Sequence, residues 1–221
     1  MKILAIETAT EACSAALDID NTCSHQFEIV PRQHTQLILP MIDKLLIEAD
    51  IKVNDLDAIA YGQGPGAFTG VRIAIGVLQG LAFAHDLPVI PISTMAILAQ
   101  QFANDYEHVA TAIDARMQEV YWGCYKRNDF GLMQLINEEN VYSPTEIPMI
   151  STNEWLGAGT GWETYHDELK RKFTDNLIAI ENKAYPSAKD LIPLAKHGFS
   201  QGHAISIEQA SPVYLRNKVT H

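Results

Sequence analysis

The stretch Gly62-Gln63-Gly64-Pro65-Gly66-Ala67-Phe68-Thr69-Gly70-Val71-Arg72-Ile73 decides how this chain is read. An apolar run, Leu56 to Tyr61, feeds into it, and an almost wholly apolar segment, Gly70 to His85, leaves it. The order is strand, glycine-rich turn, helix. Four glycines, Gly62, Gly64, Gly66 and Gly70, allow positive φ and close backbone approach. Thr69 is placed to cap the helix. Two readings of the turn stand side by side. Free N–H groups at a helix start can hold an anion or a carbonyl oxygen. The contacts would then come from Thr8, Gly64, Gly66, Thr69 and Gly70. Alternatively, the glycines serve only to let the strand and helix pack.

The helix after the turn is apolar almost all round. At about 100° per residue, Ile73, Ala74, Ile75, Val77, Leu78, Leu81, Ala82 and Phe83 cover nearly every direction. Only Arg72 and Gln79 are strongly polar before His85. Such a helix must be buried on most sides. It reads as too short and too interrupted to span a membrane. Gly76, Gly80 and Ala84 form a small-residue stripe that lets another backbone come close. Two covers are implied, the protein's own sheet and something else. A second helix, Thr35 to Ala49, carries a similar surplus. Its residues Leu37, Ile38, Met41, Ile42, Leu45, Leu46 and Ala49 make an arc wider than one core face needs, and Leu39 extends it. The two helices are expected to lie side by side and present one face to a second subunit. The candidate interface is Leu39, Ile42, Leu46, Arg72, Ile73, Gly76 and Gly80, with the core and partner sides of the Gly70–His85 helix left open.

Composition bounds the function. The 221 residues, 47% hydrophobic, suffice for one large or two small domains with a sound core. A net charge of −11, with no basic cluster longer than Lys170-Arg171-Lys172, argues against direct capture of nucleic acid. A basic partner would have to do the gripping. Cys13, Cys23 and Cys124 are scattered and odd in number, which suits a reducing cytosol rather than a disulfide framework. The apolar opening, Met1 to Glu7, is too short for a signal peptide.

Strands are expected at Lys2–Glu7, near Cys13–Asp18, at His25–Val30, before Gly62 and at Pro88–Ile92, with a helix near Thr94–Ala103. The opening then recurs. Ala5-Ile6-Glu7-Thr8-Ala9 followed by a strand is echoed by Ala112-Ile113-Asp114-Ala115-Arg116 and a strand from Val120 to Tyr125. Both read strand, acid, turn, strand, which suggests duplication. A strand near Asn137–Tyr142, a glycine loop at Gly157–Gly161, a helix near Glu163–Phe173 and a C-terminal helix over Lys189–Gly198 follow. The expected fold class is α/β, with mixed sheets flanked by helices. The expected lobes are residues 1–103 and 104–208. The tail 209–221, whose Ala210–Asn217 segment is too apolar for a free end, returns to the first lobe.

Glu7 and Asp114 end strands at matching places. They could hold a metal or activate a hydroxyl; equally, each could cap its turn. Gly157–Gly161 could cradle a phosphate or be a bare turn. His34 stands alone, since Val30 and Ile38 occupy the positions where a second histidine would make a metal pair. No Ser/His/Asp order, H-E-x-x-H or P-loop occurs. No catalytic residue and no metal ligand is therefore assigned.

Together the Gly-x-Gly-Pro-Gly-x-Phe-Thr-Gly-x-Arg-Ile signature, the apolar helix and the half-repeat resemble the TsaB (YeaZ) family. The resemblance is strongest at Ile3–Leu17, Gly62–Ile75 and Ile113–Tyr121. It implies two RNase H-like lobes of the actin/hexokinase/Hsp70 type. It also implies a non-catalytic subunit of the complex that makes N6-threonylcarbamoyladenosine in tRNA. The implied partners are the catalytic subunit TsaD and the ATPase TsaE, with a homodimer in the absence of TsaD and tRNA met only through the complex. No cofactor is expected for the isolated chain, with ATP or ADP conceivable at the partner interface. The implied location is the cytoplasm, away from membranes. TsaD is implied to carry a metal-binding histidine pair on the helix equivalent to Thr35–Ala49, which this chain lacks. Here Glu7-Thr8-Ala9 stands where the family usually has Asp-Thr-Ser, which weakens the case for a nucleotide site. Two other readings are an autonomous ATP-using kinase or acyl transferase of the same superfamily, and a peptidase-like protein.

Overall fold

In the computed structural model, which describes residues 1–216, β1 (Lys2–Glu7) is central to the first sheet. β2 (Ala12–Ile19) returns antiparallel and sets Ser14 opposite Glu7, and β3 (Thr22–Ile29) pairs antiparallel with β2. On the other side β4 (Ala58–Gly62) runs parallel to β1 and β5 (Val89–Ile92) parallel to β4. Parallel neighbours need crossovers. Helix α1 (His34–Glu48) and helix α2 (Phe68–Ala82) supply them. Successive residues of β1 face opposite sides of the sheet. Leu4 and Ile6 join α1 and α2 in one core layer, while Ile3 and Ala5 face the other.

The second sheet repeats the plan. β6 (His108–Arg116), β7 (Glu119–Arg127) and β8 (Met133–Leu135) are antiparallel. β10 (Trp155–Ala158) lies parallel to β6, and β11 (Leu177–Glu181) parallel to β10. Short β9 (Asn140–Tyr142) pairs with the start of β7. The strand, acid, turn, strand echo is thus the visible part of a whole-sheet duplication. The first strand of each sheet, carrying Glu7 or Asp114, has one antiparallel and one parallel neighbour. This is the RNase H-like lobe twice over. Between β8 and β10 the second lobe has no counterpart of α1, while α4 (Thr160–Thr164) and α5 (His166–Lys170) stand where α2 does in the first. Trp122, Trp162 and Phe173 build its core, with ring centroids 5.6 to 6.3 Å apart.

The division of the chain differs from the expected 1–103 and 104–208. One unit holds Met1–Ile97 with Pro186–Val213, and the other holds Leu98–Tyr185 and the chain from Tyr214. The boundary falls inside α3 (Thr94–Gln100). Helix α6 (Ala188–Ser200) packs on β1, β2, β4 and β5, so the C-terminal helix belongs to the first unit. Its apolar face alone could not say which sheet it would cover. Polar contacts fix the choice. Ala188 N–H donates to Ser14 Oγ at 2.9 Å, and Lys196 Nζ lies 2.9 Å from the buried carboxylate of Asp18. The tail also divides. Val213 N–H donates to Gln63 O at 2.8 Å in the first unit, and Arg216 donates to Ala115 O at 3.0 Å in the second. The part of the tail expectation on residues 217–221 lies outside the described residues.

Other local expectations shift. The strand read over Asn137–Tyr142 shrinks to β9, the helix read over Glu163–Phe173 breaks into α4 and α5, and β8 and β11 were not foreseen. Gly157 and Ala158, read as loop, lie in β10. The helix read over Gly70–His85 as too short and too interrupted for a membrane begins two residues earlier, and Phe68–His85 spans 18 residues at mean hydropathy 1.3, which suffices by length and composition. In the fold, its Val71, Ala74 and Leu78 are fully buried in the first unit's core.

Candidate functional site

β4 delivers Gly62 to the end of the sheet beside Glu7. A Cβ on Gly62 would lie 1.9 Å from Glu7 Oε2. Further on, a Cβ on Gly66 would lie 2.3 Å from Ala9 O, and one on Gly70 would lie 2.1 Å from Thr8 O. Side chains do not survive such distances from backbone, so glycine is the residue that fits. The turn between β1 and β2 is pressed onto the glycine loop and bonded to it. Ala67 N–H donates to Ala9 O at 2.7 Å, and Thr8 Oγ1 donates to Gly70 O at 2.8 Å. Gly64 is left-handed (φ 99°), and its carbonyl accepts from Thr94 N–H at 3.0 Å. Thr69 is exposed and does not cap α2; Ala67 holds the N-cap position and has no side-chain hydrogen bond to offer.

Glu7 is fully buried. Ala9 N–H donates to its Oε1 at 2.6 Å and the Thr94 hydroxyl to its Oε2 at 3.1 Å, with Thr8 N–H also turned to the carboxylate. Burial pushes its pKa up to about 7, and the donors hold it back from rising further. Among the described residues no cation pairs with it. Asp114, its counterpart in the second unit, is held differently. Arg116 donates to it twice at 2.8 Å, from its backbone N–H and from Nη1, and the Tyr165 hydroxyl donates at 3.4 Å. Arg116, Met117 and Gln118 all have left-handed backbone, and Arg216 pairs with Glu119 just beyond them. The second glycine loop also closes on its first strand. A Cβ on Gly159, itself left-handed, would lie 2.5 Å from Ala112 O, and one on Gly157 would lie 2.6 Å from the Trp162 ring. His34 is buried, with Nε2 3.2 Å from Ala12 O.

The β1–β2 turn is closed. It lies against the glycine loop at backbone contact distance, and its Ala9 N–H already serves Glu7.

An open surface runs along α2. Along α2 and into the 3-10 turn Phe83–His85 that continues it, Phe68, Arg72, Gly76, Gly80 and Phe83 share one side at about 100° per step. A Cβ on Gly76 or Gly80 would meet nothing within 4 Å. Phe83 is 68% exposed and Phe68 47%. Arg72 lays its guanidinium over the Phe68 ring, 3.4 Å from the centroid. Helix α1 packs beside α2 and leaves Leu39 and Ile47 exposed. The candidate interface therefore splits. Leu39, Arg72, Gly76 and Gly80 are open, and Ile73 is half-buried against the core. Ile42 and Leu46 are corrected to core residues, because that side of α1 meets the sheet. Phe68, Phe83 and Ile47 were missed. An almost uniformly apolar helix gives no phase from which to pick its open side.

Duplicated RNase H-like lobes, each with an acid-ended first strand and a glycine loop closed on it, define a member of the actin/hexokinase/Hsp70 class. A family model described as TsaD, tRNA N6-adenosine threonylcarbamoyltransferase, matches residues 24–221. The chain is 44% identical to the Escherichia coli tRNA threonylcarbamoyladenosine biosynthesis protein TsaB, over 99% of this chain and 96% of that one. It is 41% identical to TsaB of Haemophilus influenzae, over 100% and 95% of the two chains. The solved structure of YeaZ from Pseudomonas aeruginosa superposes with a TM-score of 0.90 at 46% identity, covering 97% and 99%. The chain belongs to the TsaB family of tRNA threonylcarbamoyladenosine biosynthesis proteins.

Proposed function

We propose that this chain is a non-catalytic subunit of the cytoplasmic complex that makes N6-threonylcarbamoyladenosine in tRNA beside the anticodon. It acts by pairing with the catalytic subunit TsaD, with the ATPase TsaE as third component, and it pairs with itself when TsaD is absent. The observation that carries this reading is the open α2 side, where large apolar residues flank two glycines that have nothing over them. Such a side costs free energy in water and invites a closely packed partner. A charge of −11 supports a role in which tRNA is gripped by other components. Any ATP or ADP belongs at the partner interface rather than at the closed turn of this chain. The test is reconstitution of tRNA modification from purified components with each omitted in turn. Modification should require both this chain and TsaD, and the chain alone should be inert. Robust modification or ATP hydrolysis by the chain alone would overturn the reading.

A further inference from the structure

The β6–β7 hairpin turns through Met117 and Gln118. Arg116, Met117 and Gln118 all lie in the left-handed region, with φ of 61°, 55° and 60°. A two-residue hairpin with both central residues left-handed ordinarily takes Asn-Gly or Asp-Gly, because longer side chains are strained there. Met117 and Gln118 relieve none of that strain, so the turn has to be held from outside. The register shift between Asp114 and Arg116 adds to the demand, since the extra residue of a bulge loses its place in the ladder. A side chain from far along the sequence answers both. Arg216 belongs to the second unit, and its guanidinium spans the turn. Nη2 donates to Ala115 O at 3.0 Å and to Arg116 O at 3.3 Å and pairs with the Glu119 carboxylate, while Nη1 lies 3.6 Å from Met117 Sδ. The counterpart turn of the first unit is held otherwise. Its Thr8 and Ala9 are buried, whereas Arg116, Met117 and Gln118 are exposed. We propose that the segment Tyr214–Arg216 is a strap with Arg216 as its clasp: docked, it keeps the β6–β7 turn in its left-handed form, and lifted, it lets the turn open. Arg216 acts through the turn, as a positioning residue. The inference does not depend on which partner covers α2.

Trypsin reads the turn directly, because Arg116 is itself a cleavage site and native-state cutting tracks the population of the opened form. In the full chain carrying Arg216→Ala, cleavage between Arg116 and Met117, followed by mass spectrometry, should rise about tenfold. Cleavage after the exposed Arg171 should keep its rate in the unsubstituted chain. Gln118→Gly supplies the second arm. Glycine takes the left-handed conformation without strain, so Gln118→Gly alone should melt at or above the unsubstituted chain. Combined with Arg216→Ala, it should slow the cut after Arg116 by about threefold relative to Arg216→Ala alone. Unchanged cleavage after Arg116 in Arg216→Ala, an equal rise after Arg171, a Gln118→Gly chain that melts below the unsubstituted one, or a double variant cut as fast as Arg216→Ala would overturn the proposal.

Discussion

Two sets of glycines lie within twenty residues of each other and do opposite things. Gly62, Gly66 and Gly70 are each within 2.3 Å of another part of the chain at the point where a Cβ would sit, whereas Gly76 and Gly80 have nothing within 4 Å. The first set lets the protein close on itself and uses up its backbone donors. The second leaves a notch on the surface of an otherwise apolar helix. Residue type and spacing are similar in both. What differs is whether the fold brings its own backbone to the position, and only long-range pairing decides that.

The comparison can be broken at either end. The largest effect should come from Gly70→Val, which drives a branched side chain into Thr8 O and forces the β1–β2 turn off the loop. Urea denaturation should give a loss above about 3 kcal/mol, the upper end for overpacking. A loss under about 1 kcal/mol would mean that the contact is soft.

Next is the pH response of the closed turn. The pKa of Glu7 is raised from 4.5 to about 7 in the folded chain, so the folded state binds the proton more tightly than the unfolded one. Its contribution is therefore fully present below pH 4.5 and fades as the pH rises through about 7. At 1.36 kcal/mol per unit, the loss across that window is about 3 kcal/mol. Asp190, raised to about 6 by burial, acts in the same direction, and the neighbouring Cys13 is pushed up to about 11, outside the window. The Glu7 share is hence the part of the slope that disappears in Glu7→Gln. A Glu7→Gln variant with the full slope would show that the acid is not the titrating group.

Asp114→Asn should cost less, about 1 kcal/mol, because its Arg116 partner is 72% exposed on the side chain and screened by solvent. Added salt should shrink the difference from the unsubstituted chain. At the small end, Gly76→Ala on the open side should stabilise the monomer by about 0.5–1 kcal/mol through helix propensity alone. A destabilised Gly76→Ala would mean that this side is covered within the chain.

Much of the fold was legible. The repeated strand, acid, turn, strand opening gave the duplication because Ile6-Glu7 and Ile113-Asp114 sit at the same register of equivalent strands. β10 and β11 were not legible. Trp155–Ala158 is four residues ending at a glycine loop, and its burial on both faces erases the period-2 pattern that marks a strand. The placement of α6 was hidden for another reason. Ser14 and Ala188 are 174 residues apart in sequence, and nothing local in either announces the other. At the site, the glycine loop was found by its composition. That Glu7 and the β1–β2 turn fill the space against it is a matter of backbone proximity, which residue types do not encode.

The central claim is that the open α2 side serves a partner, and Gly80→Leu tests it most directly. The side chain added has free space within the monomer, so thermal melting should match the unsubstituted chain within a degree or two. Light scattering with and without purified TsaD should then show the variant monomeric at concentrations where the unsubstituted chain pairs with itself and with TsaD. A variant that melts normally and still forms both pairs would contradict the account.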